Sequence, residues 1–134
     1  MSQHYEIIAF TAATPNYAKA VISTIDEENK YFRYILSRDN CLKTKNGFFI
    51  KDLRIIDRDL KNIVIVDDLV QSFGFQIDNG IPIRAFKGDS EDDELVHLAK
   101  YLKTLAAVDD VRVENKNYLR LRGLLEAKIE ETQI

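Results

Sequence analysis

The chain is poor in the residues that mark non-globular or disulfide-held proteins. Its 134 residues include one cysteine, two prolines and five glycines. So little glycine and proline excludes collagen-like and linker character. The lone Cys41 cannot close an internal disulfide, which points to a reducing, intracellular compartment. No apolar run reaches the length of a membrane span, and none at the N-terminus reads as a secretory signal. Nucleus and cytoplasm are the expected settings, and a mitochondrial one stays compatible because a cleaved transit peptide leaves no trace. Neither sign of charge dominates: 19 basic and 22 acidic side chains give a net charge of −3, so no direct nucleic-acid partner is expected. What the chain does have is 46% hydrophobic and 31% charged residues, the composition of one globular domain. That apolar content excludes disorder, and there is no internal repeat or low-complexity tract.

Along the chain, Tyr5–Phe10 reads as a buried strand. Thr14-Pro15 then opens a helix whose apolar face is Ala18, Val21, Ile22 and Ile25. Strand, tight loop and helix are the unit from which parallel α/β sheets are built. Tyr31–Leu36 is a second short strand, aromatic and β-branched. Asn46-Gly47 is a turn signal, so Cys41-Leu42 and Phe48–Ile50 flank an expected small hairpin. Lys51–Lys61 alternates charges and aliphatics like an exposed connector. The continuous run Ile63–Val66, ending in Asp67-Asp68, predicts a strand buried on both faces, and Ile81-Pro82-Ile83 a strand nearer an edge. Ser90 is the expected cap of a helix with Glu91, Asp92 and Asp93 in its first turn. Its buried stripe is Leu95, Leu98, Ala99, Leu102 and Leu105. A last helical pattern runs over Glu114–Glu131, with Tyr118, Leu121, Leu125 and Ile129 on one face.

In open α/β sheets, ligands sit beyond the carboxyl ends of the strands. One strand delivers Thr11, whose hydroxyl and following N–H groups make an anion cradle at a helix start. Another delivers Asp67 and Asp68, hard oxygen donors of the kind Mg²⁺ prefers. Lys51 offers a point positive charge for a phosphate. Each also has a structural reading: Thr11 as a cap, Lys51 as solvated surface, one aspartate as a helix cap. His4 and His97 have no partners at useful spacing, and Cys41 reads as a small hydrophobe.

A series of segments in order carries a family resemblance. They are Tyr5–Ala12, Asn16-Tyr17-Ala18, Ile50–Leu53, Arg58-Asp59-Leu60, Ile63–Asp68, Asp78–Ile83, Asp92–Leu95 and Val108–Val111. Together they resemble the haloacid-dehalogenase-type phosphatase domain of the RNA polymerase II C-terminal-domain phosphatases. The closest group is the small phosphatases also described as nuclear-LIM-interactor-interacting factors. The resemblance implies an α/β fold: a Rossmann-like three-layer domain with a mainly parallel sheet over residues 1–112, followed by a helical extension over 113–134. It also implies site roles. Thr11 and Ala12 would hold the transferring phosphoryl group, and Lys51 would neutralise its charge. Asp67 and Asp68 would hold Mg²⁺ and orient the lysine.

Two departures shape the expected function. Asp67-Asp68-Leu69-Val70 stands where most small phosphatases have Asp-Asn-Ser-Pro. The family's first motif, Asp-x-Asp-x-Thr, precedes the Thr11 position, yet the ten residues before Thr11 contain no aspartate. In the family, those aspartates are the nucleophile and the general acid/base. As written, the chain is therefore expected to lack catalytic residues, to have an incomplete Mg²⁺ site, and to act as an interaction or structural subunit. The alternative is part of an active Mg²⁺-dependent protein serine/threonine phosphatase, acting on a phosphoprotein. Its first motif would then come from another chain or lie outside these 134 residues. The missing strand belongs mid-sheet, between those ending at Thr11 and Asp67, so a protein partner is expected to fill the slot by strand addition.

Overall fold

A computed structural model describes residues 3–84 and 87–120. Its first half is a strand–helix–strand unit: β1 (Ile7–Phe10), α1 (Pro15–Ile25) and β2 (Phe32–Leu36). The two strands run parallel, with Ile8 opposite Tyr34 and Phe10 opposite Leu36. Thr14 occupies the N-cap position and Pro15 opens the helix, as expected, although the Thr14 side chain makes no capping bond. Asp26 ends α1, and its carboxylate accepts the N–H groups of Lys30, Tyr31 and Phe32. Those bonds satisfy a buried charge and turn the chain into β2. The expected apolar face of α1 is only partly covered: Ala18 is buried, while Val21 and Ile25 are exposed.

The predicted hairpin forms between β3 (Leu42–Lys43) and β4 (Phe49–Ile50), antiparallel, with Leu42 opposite Ile50. Gly47 takes the left-handed conformation at its tip, with φ of 85°. The following segment is an exposed connector only from Arg54 onward, and its start folds inward. Asp52 and Leu53 are buried, and two short 3₁₀ turns, Leu53–Ile56 and Leu60–Asn62, run through it. Asp52 caps the first turn through the Arg54 N–H, is gripped by the Arg54 guanidinium, and accepts Gln76 Nε2 at 2.9 Å. A charged residue that pairs with its own turn can enter the interior, which alternation alone does not reveal.

β5 is Ile65–Asp67 and β6 is Gly80–Pro82, paired in parallel with Val66 opposite Ile81. The expected strand over Ile63–Val66 thus begins two residues later. Only Ile65 in it is fully buried, because Ile63 closes the preceding 3₁₀ turn and β5 has a ladder partner on one side alone. Gly80 is required by crowding: a Cβ there would lie 2.3 Å from the Phe73 ring.

Two apolar clusters grip this half, Leu53–Ile65–Phe73 and Ile81–Leu105–Val111. Buried amides tie the loops to them. Asn79 donates to the carbonyls of Leu60 and Ile63, and Asn115 donates to Asp78 O while accepting the Tyr101 hydroxyl.

Helix α2 is Glu94–Leu105, capped at Asp93 and not at Ser90. Asp89 and Asp92 each accept an N–H two residues on, and these local turns delay the helix. Of its expected stripe, Leu105 is buried, Leu98 and Leu102 pack against the second cluster, and Leu95 is exposed. Residues 111–120 are helical, so the last helix starts before Glu114. Leu121, Leu125 and Ile129 of its expected face lie outside the described residues.

The pairs β1–β2, β3–β4 and β5–β6 are separate two-stranded sheets. Among the described residues, no strand joins β1 to β5. No described helix is long and apolar enough to cross a membrane.

Candidate functional site

The site begins at the carboxyl ends of β1 and β5, where a parallel strand hands its chain to the surface. Asp67 is the last residue of β5, and Lys51 follows β4, its N–H held by Ser72 O at 3.1 Å. The two side chains meet: Lys51 Nζ lies 2.5 Å from Asp67 Oδ2. Their side chains are 11% and 8% exposed, so the lysine is no solvated surface group. Asp67 Oδ1 accepts the Leu69 N–H at 3.0 Å. Burial pushes the Asp67 carboxyl up. The Lys51 ammonium, the Leu69 N–H and a side-chain hydrogen bond with Asp68 outweigh it, and the carboxyl settles below its usual range.

Lys51, Asp67 and Asp68 line one cavity of about 460 Å³, which Arg84, Asp92 and Glu94 also line. The structure thus brings together three of the five expected site residues. Thr11 and Ala12 are not on that cavity wall. The Thr11 hydroxyl accepts the Ala13 N–H at 3.1 Å, a local turn that lies ahead of the α1 N-cap position at Thr14. Cys41 lies beside this turn, with its Sγ 3.8 Å from Thr11 O and 3.7 Å from Ser37 O. Burial pushes its thiol up, while the nearby charges of Lys51 and Arg38 pull it down. Burial prevails, as for a thiol packed inside the fold.

Sequence reasoning missed two cations. Arg38 donates from Nε to Ala12 O at 2.7 Å and from its backbone N–H to Ala13 O at 2.9 Å, which fastens the turn after Thr11. The signal was present: Ser37 and Asn40 form a capping box around the turn that presents Arg38. Arg84 carries no local pattern; only the approach of the β6 exit to Lys51 reveals it.

For a divalent ion, the fit is partial. Both Asp67 oxygens are engaged, by Lys51 and by the Leu69 N–H, which leaves Asp68 as the carboxylate with most to offer. No group of three His, Cys, Asp or Glu side chains able to hold a metal occurs among the described residues. Mg²⁺ bound by one or two carboxylates, with the remaining positions filled by water and phosphate oxygens, is compatible with that donor set.

The family described as NLI interacting factor-like phosphatase matches residues 1–112. CTD small phosphatase-like protein 2 of Dictyostelium discoideum is 42% identical over 125 residues, covering 93% of this chain and 22% of the relative. Mitochondrial import inner membrane translocase subunit TIM50 of Danio rerio is 36% identical, covering 92% of this chain and 32% of the relative. This chain thus spans between a fifth and a third of these relatives' length. Among solved structures, fission yeast RNA polymerase II CTD phosphatase Fcp1 bound to beryllium fluoride aligns with a TM-score of 0.49 at 21% identity. That alignment covers 92% of this chain and 36% of the other.

Proposed function

The chain belongs to the NLI interacting factor-like phosphatase family, and from that premise we propose that it carries the phosphate-handling half of a phosphoester site, set in a sheet left open for a strand from another polypeptide. The observation that carries this reading is the buried Lys51–Asp67 pair at 2.5 Å. Two oppositely charged groups withdrawn from water cost more than an exposed pair returns. A ligand that uses the lysine offsets that cost. Lys51 supplies a fixed positive charge to a phosphoryl oxygen, and Asp67 keeps its ammonium aimed into the cavity. Thr11 and Ala12 lie outside this cavity, on a turn that Arg38 secures, so the phosphoryl-holding role the resemblance gives them depends on the strand that would join β1 to β5. Asp68, beside Asp67, would hold Mg²⁺, which supplies charge neutralisation for phosphate when bound.

The sequence has no Asp-x-Asp-x-Thr, the motif that carries the nucleophile and the general acid/base in the phosphatases it resembles. On this reading the chain alone binds phosphate without turning it over, and serves as an interaction or structural subunit. The unjoined edges of β1 and β5 support strand addition, because their N–H and C=O groups lack a ladder on that side. A relative named as a translocase subunit agrees with a role inside an assembly. A second reading rests on the retained Lys51, Asp67 and Asp68: the added strand itself carries Asp-x-Asp-x-Thr and completes a Mg²⁺-dependent protein phosphatase.

The experiment mixes the chain with a polypeptide bearing an Asp-x-Asp-x-Thr strand and follows hydrolysis of p-nitrophenyl phosphate with and without Mg²⁺. The chain alone is expected to be silent. Turnover by the mixture, lost in Lys51→Met, selects the phosphatase. Stable association without turnover selects the subunit. Hydrolysis by the chain alone overturns the proposal.

A further inference from the structure

The cavity that holds Lys51 is short of positive charge. Its lining includes two cations, Lys51 and Arg84, against the carboxylates of Asp67, Asp68, Asp92 and Glu94. Lys51 is already committed to Asp67 at 2.5 Å, so it arrives at a phosphate with its charge largely answered. Arg84 differs in every respect that matters for capture. It leaves the end of β6 just beyond Ile83, whose N–H bonds Asp67 O at 3.1 Å, so its backbone is anchored to the residue that anchors the lysine. Its side chain is 74% exposed, and it meets Glu94 through Nε at 3.3 Å. An exposed pair of that length is weak, and a guanidinium has further N–H donors set in a fork that matches two phosphate oxygens.

We propose that Arg84 is a second phosphate-holding residue of this site, an exposed fork that closes over a phosphomonoester held at Lys51. The inference rests on the phosphate reading given above and extends it. Lys51 is the fixed charge at the floor of the cavity. Arg84 is the hand-over group at the rim: its exposure lets it meet the dianion first, and the tether to Glu94 keeps it near the mouth. The arrangement also makes Glu94 a competitor for Arg84, so the phosphate must outbid one carboxylate to recruit it. A dianion does so more readily than a monoanion. Binding should therefore tighten as pH rises through the second ionisation of phosphate, about pH 6 to 7 for a phosphate ester.

The test is a titration of the 134-residue chain with inorganic phosphate in Mg²⁺ buffer, followed by NMR through amide signals near the cavity and the Arg84 side-chain Nε–H signal. Wild type should bind, with the Arg84 Nε–H signal shifting to saturation. Arg84→Gln should weaken binding roughly three- to ten-fold, the scale of one exposed charge-assisted contact, and Arg84→Lys should fall between the two. Lys51→Met should remove detectable binding. If wild type binds and neither Arg84 variant changes the affinity, the proposal is overturned while the phosphate site stands. If wild type does not bind phosphate at all, the phosphate reading falls, and the role of Arg84 falls with it.

Discussion

The two parallel pairs of this molecule are held in different ways. In the β5–β6 half, six apolar side chains are fully buried, in the Leu53–Ile65–Phe73 and Ile81–Leu105–Val111 clusters. Before residue 51 the described chain buries one apolar side chain, Ala18. There, order comes from hydrogen bonds: the Asp26 carboxylate on three successive N–H groups, the Ser37–Asn40 box, and Arg38 on the Ala12 and Ala13 carbonyls. Meanwhile Tyr17, Val21, Ile25 and Tyr34 stand exposed on the same half. Exposed apolar side chains occur in the other half too, Ile77 and Leu95 among them, so the difference between the halves lies in what each buries. The residues proposed to handle phosphate fall on both halves, with Lys51 and Asp67 on the packed side and Thr11 on the open one.

The largest effect should fall on the packed half. Ile81→Ala removes a side chain shared by β6, α2 and the 111–120 helix, and should cost about 3 kcal/mol in urea unfolding. A cost below about 1 kcal/mol would erase the contrast between the halves. Next comes Lys51→Met, which strands the Asp67 carboxylate in a nearly dry setting and should cost about 2–3 kcal/mol at pH 7. The sign of its pH dependence sharpens the case. In wild type the Asp67 carboxyl is depressed in the folded state, so its contribution is present above the ordinary carboxylate value and is lost as pH falls through the folded value. In Lys51→Met the carboxyl has lost its cation and burial dominates, so the variant should regain stability relative to wild type as pH falls toward 4.

A third test lies on the open half. The Phe32 N–H above all, with those of Lys30 and Tyr31, holds the Asp26 carboxyl below its ordinary 3.8. Its stabilisation is therefore complete above that value and fades only as pH drops through the lowered one. Asp26→Asn should lower Tm at pH 7 and flatten the acid limb of Tm against pH; an unchanged profile would show that the carboxylate is not what orders the turn. The smallest effect is expected at Val21→Ala, within about 0.5 kcal/mol for the chain alone, as for an exposed side chain. Should a strand-adding partner cover α1, the same substitution would weaken association, and that reversal would identify Val21 as part of the interface.

Much of the architecture was legible from pattern. The helix start at Thr14-Pro15, the Asn46-Gly47 hairpin and the strand before Asp67 depend on local stereochemistry, and local stereochemistry is written in adjacent residues. The meeting of Lys51, Asp67 and Asp68 at one cavity was legible too, through the order and spacing of the segments that carry the family resemblance. The burial of Asp52 and Leu53 was not, because a solvated connector and a turn folded inward have the same alternation. The start of α2 was also misread, since Ser90 and Asp93 both suit a cap and only the turns at Asp89 and Asp92 choose between them. Arg38 and Arg84 gain their significance from the Ala12 carbonyl and the Lys51 cavity, which lie 26 and 33 positions away along the chain.

What the sequence by itself determined is therefore the periodic and the short-range: which segments extend or coil, where turns close, and the family to which its ordered motifs assign it. Tertiary structure alone decided which charges come together and which edges stay open. Lys51 meets Asp67 because the Val70–Phe73 turn touches both β4 and β5 and its Ser72 O holds the Lys51 N–H, and β1 and β5 remain unjoined because no strand of the described chain lies between them. The physical reason is one of range. Backbone preference acts over a few residues, whereas desolvation and Coulomb attraction act between any groups that packing brings within a few ångströms.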